Sequence, residues 1–230
     1  MALVNGSVLG NLSGRLGNLS ARTVNGQTIL AARPSSFNAS QEPAVLAVRQ
    51  KFAVTANFSK NVLSLSTLAD IWKQTKASGL SAFNGIFKSN FAYSAVDKPT
   101  TDNIITPGGF SLPVQRTEVG TDNLSVELLA LTSMFTFTPE EVNLSVNALI
   151  CFHTPTSPDK PPFQLIALNH EIANHSFNQT AEVNIGYNQK QEQIANLYTG
   201  SILYVSVASK NAQGKVIQYS ASYTPVESAS

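Results

Sequence analysis

Cysteine is nearly missing from this chain. Cys151 is the only one in 230 residues, so no disulfide framework can form within a single chain. It sits in a strand-like run and reads as a buried apolar residue. Charge is also scarce. Asp, Glu, Lys and Arg make up 13% of the residues, about half the roughly 25% usual in globular proteins. The net charge is +1, so the chain lacks the basic field of a dedicated nucleic-acid binder. No stretch reaches the roughly 18 apolar residues of a membrane span. Met1 to Gly6 has neither the basic start nor the apolar run of a secretory signal. Were the protein to reach the outside of a cell, it would leave by lysis or by a route with no cleaved leader.

Ser, Thr, Asn and Gln supply the missing polarity. A surface rich in hydroxyls and amides and poor in Lys and Glu is easily desolvated. That suits contact between subunits, and a secreted β-rich monomer would look the same. The chain is long enough to bury a core without disulfides. Nine Asn-x-Ser/Thr triplets are present. Without a secretion signal they read as turns and solvated faces.

The N-terminal stretch repeats itself. Leu9-Gly10-Asn11-Leu12-Ser13-Gly14-Arg15 is followed at once by Leu16-Gly17-Asn18-Leu19-Ser20-Ala21-Arg22. A dinucleotide loop needs G-x-G-x-x-G between a strand and a helix. Gly10, Gly14 and Gly17 have the wrong spacing, and no Walker lysine follows. The echo is also too short for a solenoid repeat of about 20–50 residues. Asn25-Gly26 separates two strand-like runs, 19–24 and 27–32, and Asn-Gly there signals a two-residue hairpin turn. That register puts Val24 opposite Gln27 and Arg22 opposite Ile29. Leu19, Ala21, Thr23, Thr28, Leu30 and Ala32 then share one face, and Pro34 ends the second strand. Arg15, Arg22 and Arg33 precede any acid in the chain, the first being Glu42. Pairing with acids elsewhere is expected of them ahead of phosphate contact. The candidate assembly arm is Gly10, Gly14, Arg15, Gly17, Arg22, Asn25, Gly26 and Arg33.

Helical spacing follows. A helix is expected from about Gln41 to Lys60, with Ser40 as cap, Pro43 in the first turn, and Val45, Val48, Phe52, Thr55, Ala56 and Ser59 on its stripe. A second runs from Leu65 to Lys76, with Ser66 as a possible cap and Leu68, Ile71, Trp72 and Thr75 on one face. A third spans Ser81 to Tyr93, its stripe of Phe83, Ile86, Phe87, Asn90 and Phe91 reading as core. Lys98 to Gly109, rich in Pro and Gly, reads as a linker or edge segment. Short strand-like runs then occur at 110–115, 123–131, 135–138, 143–152, 163–168, 181–187, 202–209 and 216–223, and 189–198 reads as a short helix or crossover. The expected fold is α+β: an N-terminal β-hairpin arm (1–36), a small helical region (37–105) and an antiparallel immunoglobulin-like β-sandwich (106–230).

Catalytic chemistry is thin. His170 and His175 are five apart, whereas the zincin motif needs four. Glu140-Glu141 follows Pro139 and reads as a solvated turn. Cys151 and His153 lie on one strand face but lack a third orienting group, and no G-x-S-x-G elbow occurs. No catalytic residue, cofactor or metal site is expected.

Three segments resemble an uncharacterised protein family abundant in Bacteroidota genomes. They are Ser13-Gly14-Arg15-Leu16-Gly17 against S-G-K/R-x-G, residues 43–52 (PAVLAVRQKF) against P-A-x-x-A-x-R-x-K-F, and Ser81-Ala82-Phe83-Asn84 against S-A-F-N. The likeness covers about residues 7 to 112. The family's N-P-x-T-P before the first helix is replaced by Phe37 to Pro43. The resemblance implies no enzymatic activity and, through the family's context, phage-like or surface-assembled structural proteins. The expected function is a non-enzymatic subunit that self-assembles through its arm into a virion or an extracellular filament. Its partners would be copies of itself and other structural proteins, with no specific nucleic acid. The alternative is a monomeric sandwich that binds a glycan or protein.

Overall fold

A computed structural model describes residues 2–4, 12–24, 26–33, 36 and 39–225. Gly10, Asn25 and Pro34 lie outside the described residues, as do three of the Asn-x-Ser/Thr asparagines, Asn5, Asn11 and Asn38. The chain divides into two units, Met1–Val45 and Leu46–Ser230. It combines helices with antiparallel sheets.

The first unit holds four strands: β1 (Ala2–Val4), β2 (Gly14–Leu16), β3 (Leu19–Val24) and β4 (Gln27–Ala32). They form one antiparallel sheet in the order β1-β4-β3-β2. The register of β3 and β4 is the one the Asn-Gly spacing requires, with Val24 opposite Gln27 and Arg22 opposite Ile29. The echoed glycine has a definite job. Leu16 pairs with Leu19 across Gly17-Asn18, and Gly17 has φ 58°, so this copy of the repeat is itself a two-residue hairpin turn. A Cβ at Gly17 would meet nothing within 4 Å. The glycine is there for its left-handed backbone.

The second unit starts from three helices. They are α1 (Pro43–Ser64, its first residues belonging to the preceding unit), α2 (Ser66–Thr75) and α3 (Ala82–Asn90). Ser81 caps α3 by accepting the Asn84 N–H. Ser66 is not a cap: Leu65 occupies that position without a side-chain bond. Helix α1 buries Val54, Phe58 and Val62 beside the expected Thr55 and Ser59. Val48 and Phe52 stay 58% and 55% exposed, so the expected apolar stripe faces inward only along its C-terminal half.

Two sheets follow. Strands β5 (Val114–Val119), β6 (Asn123–Leu128) and β9 (Ala181–Gly186) form one, in the order β5-β6-β9. Strands β7 (Asn143–Pro155), β8 (Phe163–Ile172), β10 (Tyr198–Lys210) and β11 (Val216–Tyr219) form the other, in the order β11-β10-β7-β8. Helix α4 (Gln189–Ala195) lies between β9 and β10 and carries a full capping box from Asn188 and Gln191. The expected strand at 135–138 is absent. Phe135 and Phe137 instead join Phe110 and Phe177 in an aromatic cluster.

The long strands β7 and β10 are buried on both faces, which explains their near-continuous apolar sequence. Side chains alternate along a strand. Leu144, Val146, Ala148 and Ile150 of β7 pack with Leu124, Val126, Val183 and Ile185 of the three-stranded sheet. Leu149 and Cys151 point the other way, into a cluster with Phe58, Leu68, Ile71, Trp72 and Ile86 from the helices. The helices thus cover one face of the four-stranded sheet.

The segment 94–106 is a tied strap rather than a loose linker. Tyr204 Oη donates to Thr100 O at 2.6 Å and Trp72 Nε1 to Ile105 O at 2.8 Å. Ser222 Oγ accepts the N–H groups of Ile105 and Thr106. Further on, Gly109 (φ 117°) lies so near strand β11 that a Cβ there would sit 2.6 Å from Ser220 C and closer still to Tyr219 O. Gly109→Ala combines a strained backbone with a collision against main chain. Its expected cost is about 3 kcal/mol, read as a lowered urea midpoint, whereas Gly186→Ala, where a Cβ meets nothing within 4 Å, serves as the control.

Candidate functional site: the N-terminal sheet

The described members of the expected arm lie in or beside one small sheet. Gly14 and Arg15 lie in β2, Gly17 in the first turn, Arg22 in β3, Gly26 in the second turn and Arg33 just past β4. The Arg33 N–H donates to Asn18 O at 2.8 Å and extends the β3–β4 ladder. The Thr23 hydroxyl bonds Leu12 O at 3.1 Å and meets the Thr28 hydroxyl at 3.3 Å. Only Ala21 and Thr28 are buried among the described side chains of these strands. Leu19, Thr23 and Leu30 on the same face are half-buried; on the opposite face Ile29 is half-buried and Ser20, Arg22, Val24, Gln27 and Ala31 are exposed. Among the described residues, no carboxylate pairs with Arg15, Arg22 or Arg33. Arg15 Nε donates to Gly17 O at 3.2 Å. Sequence reasoning missed β1, which pairs Ala2 with Leu30 and Val4 with Thr28. Three residues give no periodicity, and only pairing with β4 makes them a strand.

Cys151 and Glu141 are buried in the second unit. Burial pushes the Cys151 thiol up to about 12, although Lys98 lowers it and Asp97 adds to the rise. That thiol stays protonated and is no nucleophile. Glu141 corrects the solvated-turn reading. It is buried, accepts the Thr138 N–H at 2.7 Å and the Thr138 hydroxyl at 3.1 Å, and takes the Ser209 hydroxyl on its other oxygen. His170 lies in β8 and His175 beyond it. Among the described residues no three metal-binding side chains gather.

His175 carries a pH dependence. Its Nε2 is buried with no hydrogen-bond partner among the described residues, its ring stands edge-on to Phe177, and burial holds its pKa below the ordinary imidazole value. The unfolded chain therefore takes up a proton that the folded chain refuses. Stability from this group is complete above the unfolded value of about 6.5 and declines as pH falls through it toward the folded value. The urea midpoint should drop between pH 7.5 and pH 5.5, and less so in His175→Gln.

No family model matches the chain, and no curated protein matches it. Among solved structures it is faintly similar to a selenomethionine-labelled β-glucosidase from Kluyveromyces marxianus, with TM-score 0.21 and 11% identity over 62% of this chain and 17% of that one. The glucose complex of β-glucosidase from the same organism gives TM-score 0.21 and 11% identity over 61% and 16%. The chain spans about a sixth of the length of those enzymes, and so slight a likeness bears on neither fold nor activity. What can be stated is the class, a mixed protein of helices and antiparallel sheets with a small N-terminal sheet. No helix among the described residues is long and apolar enough to cross a membrane.

Proposed function

We propose that this protein is a non-enzymatic structural subunit that self-assembles through its N-terminal sheet, as in a virion component or an extracellular filament. One observation carries the reading: four paired strands bury only Ala21 and Thr28 among their described side chains. Ordering each residue costs about 1–2 kcal/mol, and a small sheet without a buried face is marginal in water. A second copy would supply what the sheet lacks. The face of Leu19, Ala21 and Leu30 offers apolar contact, and the outer edges of β1 and β2, which have no strand partner among the described residues, offer backbone for strand addition.

Charge supports the same partner. The arm holds three arginines and no acid before Glu42, leaving 12 basic and 14 acidic side chains for the rest of the chain. Arms and bodies of different copies therefore attract. The scarcity of surface charge and the likeness to the Bacteroidota family point the same way. We read the body as an immunoglobulin-like sandwich. Its first, second and fifth strands share one sheet and its seventh, sixth, third and fourth the other, an arrangement that differs from the constant-domain order in the placement of the fourth strand.

The test is light scattering of the purified full chain with negative-stain microscopy of the same fractions. Rings, tubes or filaments are expected. A strict 24.6 kDa monomer at high concentration overturns the proposal.

A further inference from the structure

A cleft at the end of strand β7 has the chemistry of an anion site. β7 parts from β8 after His153 but stays paired with β10 as far as Pro155. Thr154 has φ 60°, a costly backbone for a β-branched residue. Across the ladder Gly200 pairs with His153, and any Cβ there would collide with the imidazole. Both neighbours thus yield to the placement of this ring.

Thr154 and Lys98 are among the groups that hold the ring. Its Nδ1 lies 2.9 Å from Thr154 Oγ1. Lys98 Nζ lies 3.4 Å from each ring nitrogen. One neutral tautomer satisfies both neighbours: Nε2 accepts from Lys98, and Nδ1–H donates to Thr154. The Thr154 hydroxyl proton is then aimed elsewhere, and the Lys98 ammonium keeps donors to spare. Lys98 is half-buried, yet no carboxylate pairs with it among the described residues. A cation withdrawn from water calls for a counter-charge.

The space beside it is a cleft of about 370 Å³, lined by Lys98, His153, Thr154 and Lys160, with Pro155 and Pro158 as stiff walls. Lys160 pairs with Asp159 at 2.9 Å, a carboxylate whose side chain is 64% exposed and so readily displaced. Asp97 also borders the cleft, but it is exposed and screened by water.

We propose that this cleft binds a small molecule through an oxyanion, a phosphate or a carboxylate. The anion sits between the Lys98 and Lys160 ammonium groups and accepts the Thr154 hydroxyl. This site is independent of assembly through the N-terminal sheet.

The test is histidine-ring NMR of the full chain at pH 7.5. Inorganic phosphate, sodium acetate and sodium chloride are titrated separately at matched ionic strength. A saturating shift of the His153 resonances is expected with phosphate or acetate and not with chloride, and the tighter of the two identifies the oxyanion. Lys98→Met should weaken that affinity by about tenfold or more, while Lys98→Arg largely retains it. Should Lys98→Met fail to fold, Lys160→Gln on the exposed lip should still weaken binding severalfold. Unsaturating shifts common to all three salts overturn the proposal. So does affinity unchanged in Lys98→Met, or in Lys160→Gln where that variant replaces it.

Discussion

Deleting residues 1–34 should convert an assembling protein into a monomer. The deletion removes all four strands of the N-terminal sheet and all three arm arginines, Arg15, Arg22 and Arg33. It spares both hydrophobic clusters, whose members all lie at or beyond Phe58. The thermal transition and near-ultraviolet spectrum of the shortened chain should therefore stay close to those of the full one. Its mass by light scattering should fall to one copy, a shift of at least about 100-fold in assembly constant. That is the order expected from losing a few buried aliphatic side chains at about 1.5–3 kcal/mol each. Raising salt should weaken assembly of the full chain, because the arm arginines are exposed and their attraction is screened. Particles that persist after the deletion would place the assembly contact elsewhere. A monomeric full chain that keeps a ligand would favour the binding-module alternative.

Asn90→Ala should be among the most damaging single substitutions in the body. Asn90 is fully buried at the end of α3. Its amide nitrogen donates to Ile86 O at 2.9 Å and Ile104 O at 3.0 Å. Its amide oxygen accepts the Ile104 N–H at 2.7 Å and Asn103 Nδ2 at 3.0 Å. Asn103 in turn holds Ser94 Oγ at 3.1 Å and accepts the Thr100 N–H at 2.7 Å. One side chain thus ties the helix to the strap. Truncation leaves several buried polar groups without partners, at about 1–3 kcal/mol each, together about 3–5 kcal/mol. For a chain of this size the melting temperature should fall by roughly 8–15 °C. Asn84→Ala, on the exposed side of the same helix, should stay within about 0.5 kcal/mol. A loss below about 1 kcal/mol at Asn90 would mean that the strap is held by Trp72, Tyr204 and Ser222 alone.

The parts of the fold legible in the sequence are those that local rules decide. Asn25-Gly26 set the hairpin register because a two-residue turn leaves no freedom in pairing. Ser81 marks the start of α3 because its hydroxyl satisfies the Asn84 N–H. The spacing of Leu68, Ile71 and Trp72 places one face of α2 inward. Other expectations failed for want of distant partners. Phe135 and Phe137 look like a strand, yet their neighbours in space are Phe110 and Phe177. Glu141 looks solvated, yet Ser209, far along the chain, makes its burial tolerable. Of the arm, the hairpin of β3 and β4 is readable, whereas β1, β2 and the turn at Gly17-Asn18 emerge only from pairing with those strands. Lys98, His153 and Lys160 never appear as a motif, because 55 residues separate the first two.

Composition and pattern alone determined that the chain needs no disulfides, carries little charge and changes from helical spacing to alternation near residue 105. They also determined the register of the hairpin around Asn25-Gly26. Those are consequences of solvation and of backbone sterics within a few residues. Only the tertiary structure decided that β7 and β10 are covered on both faces, that residues 94–106 are a strap, and that a half-buried lysine meets a histidine at the rim of a cleft. Each of these depends on which distant segment arrives, and burial and hydrogen-bond satisfaction are settled only when it does.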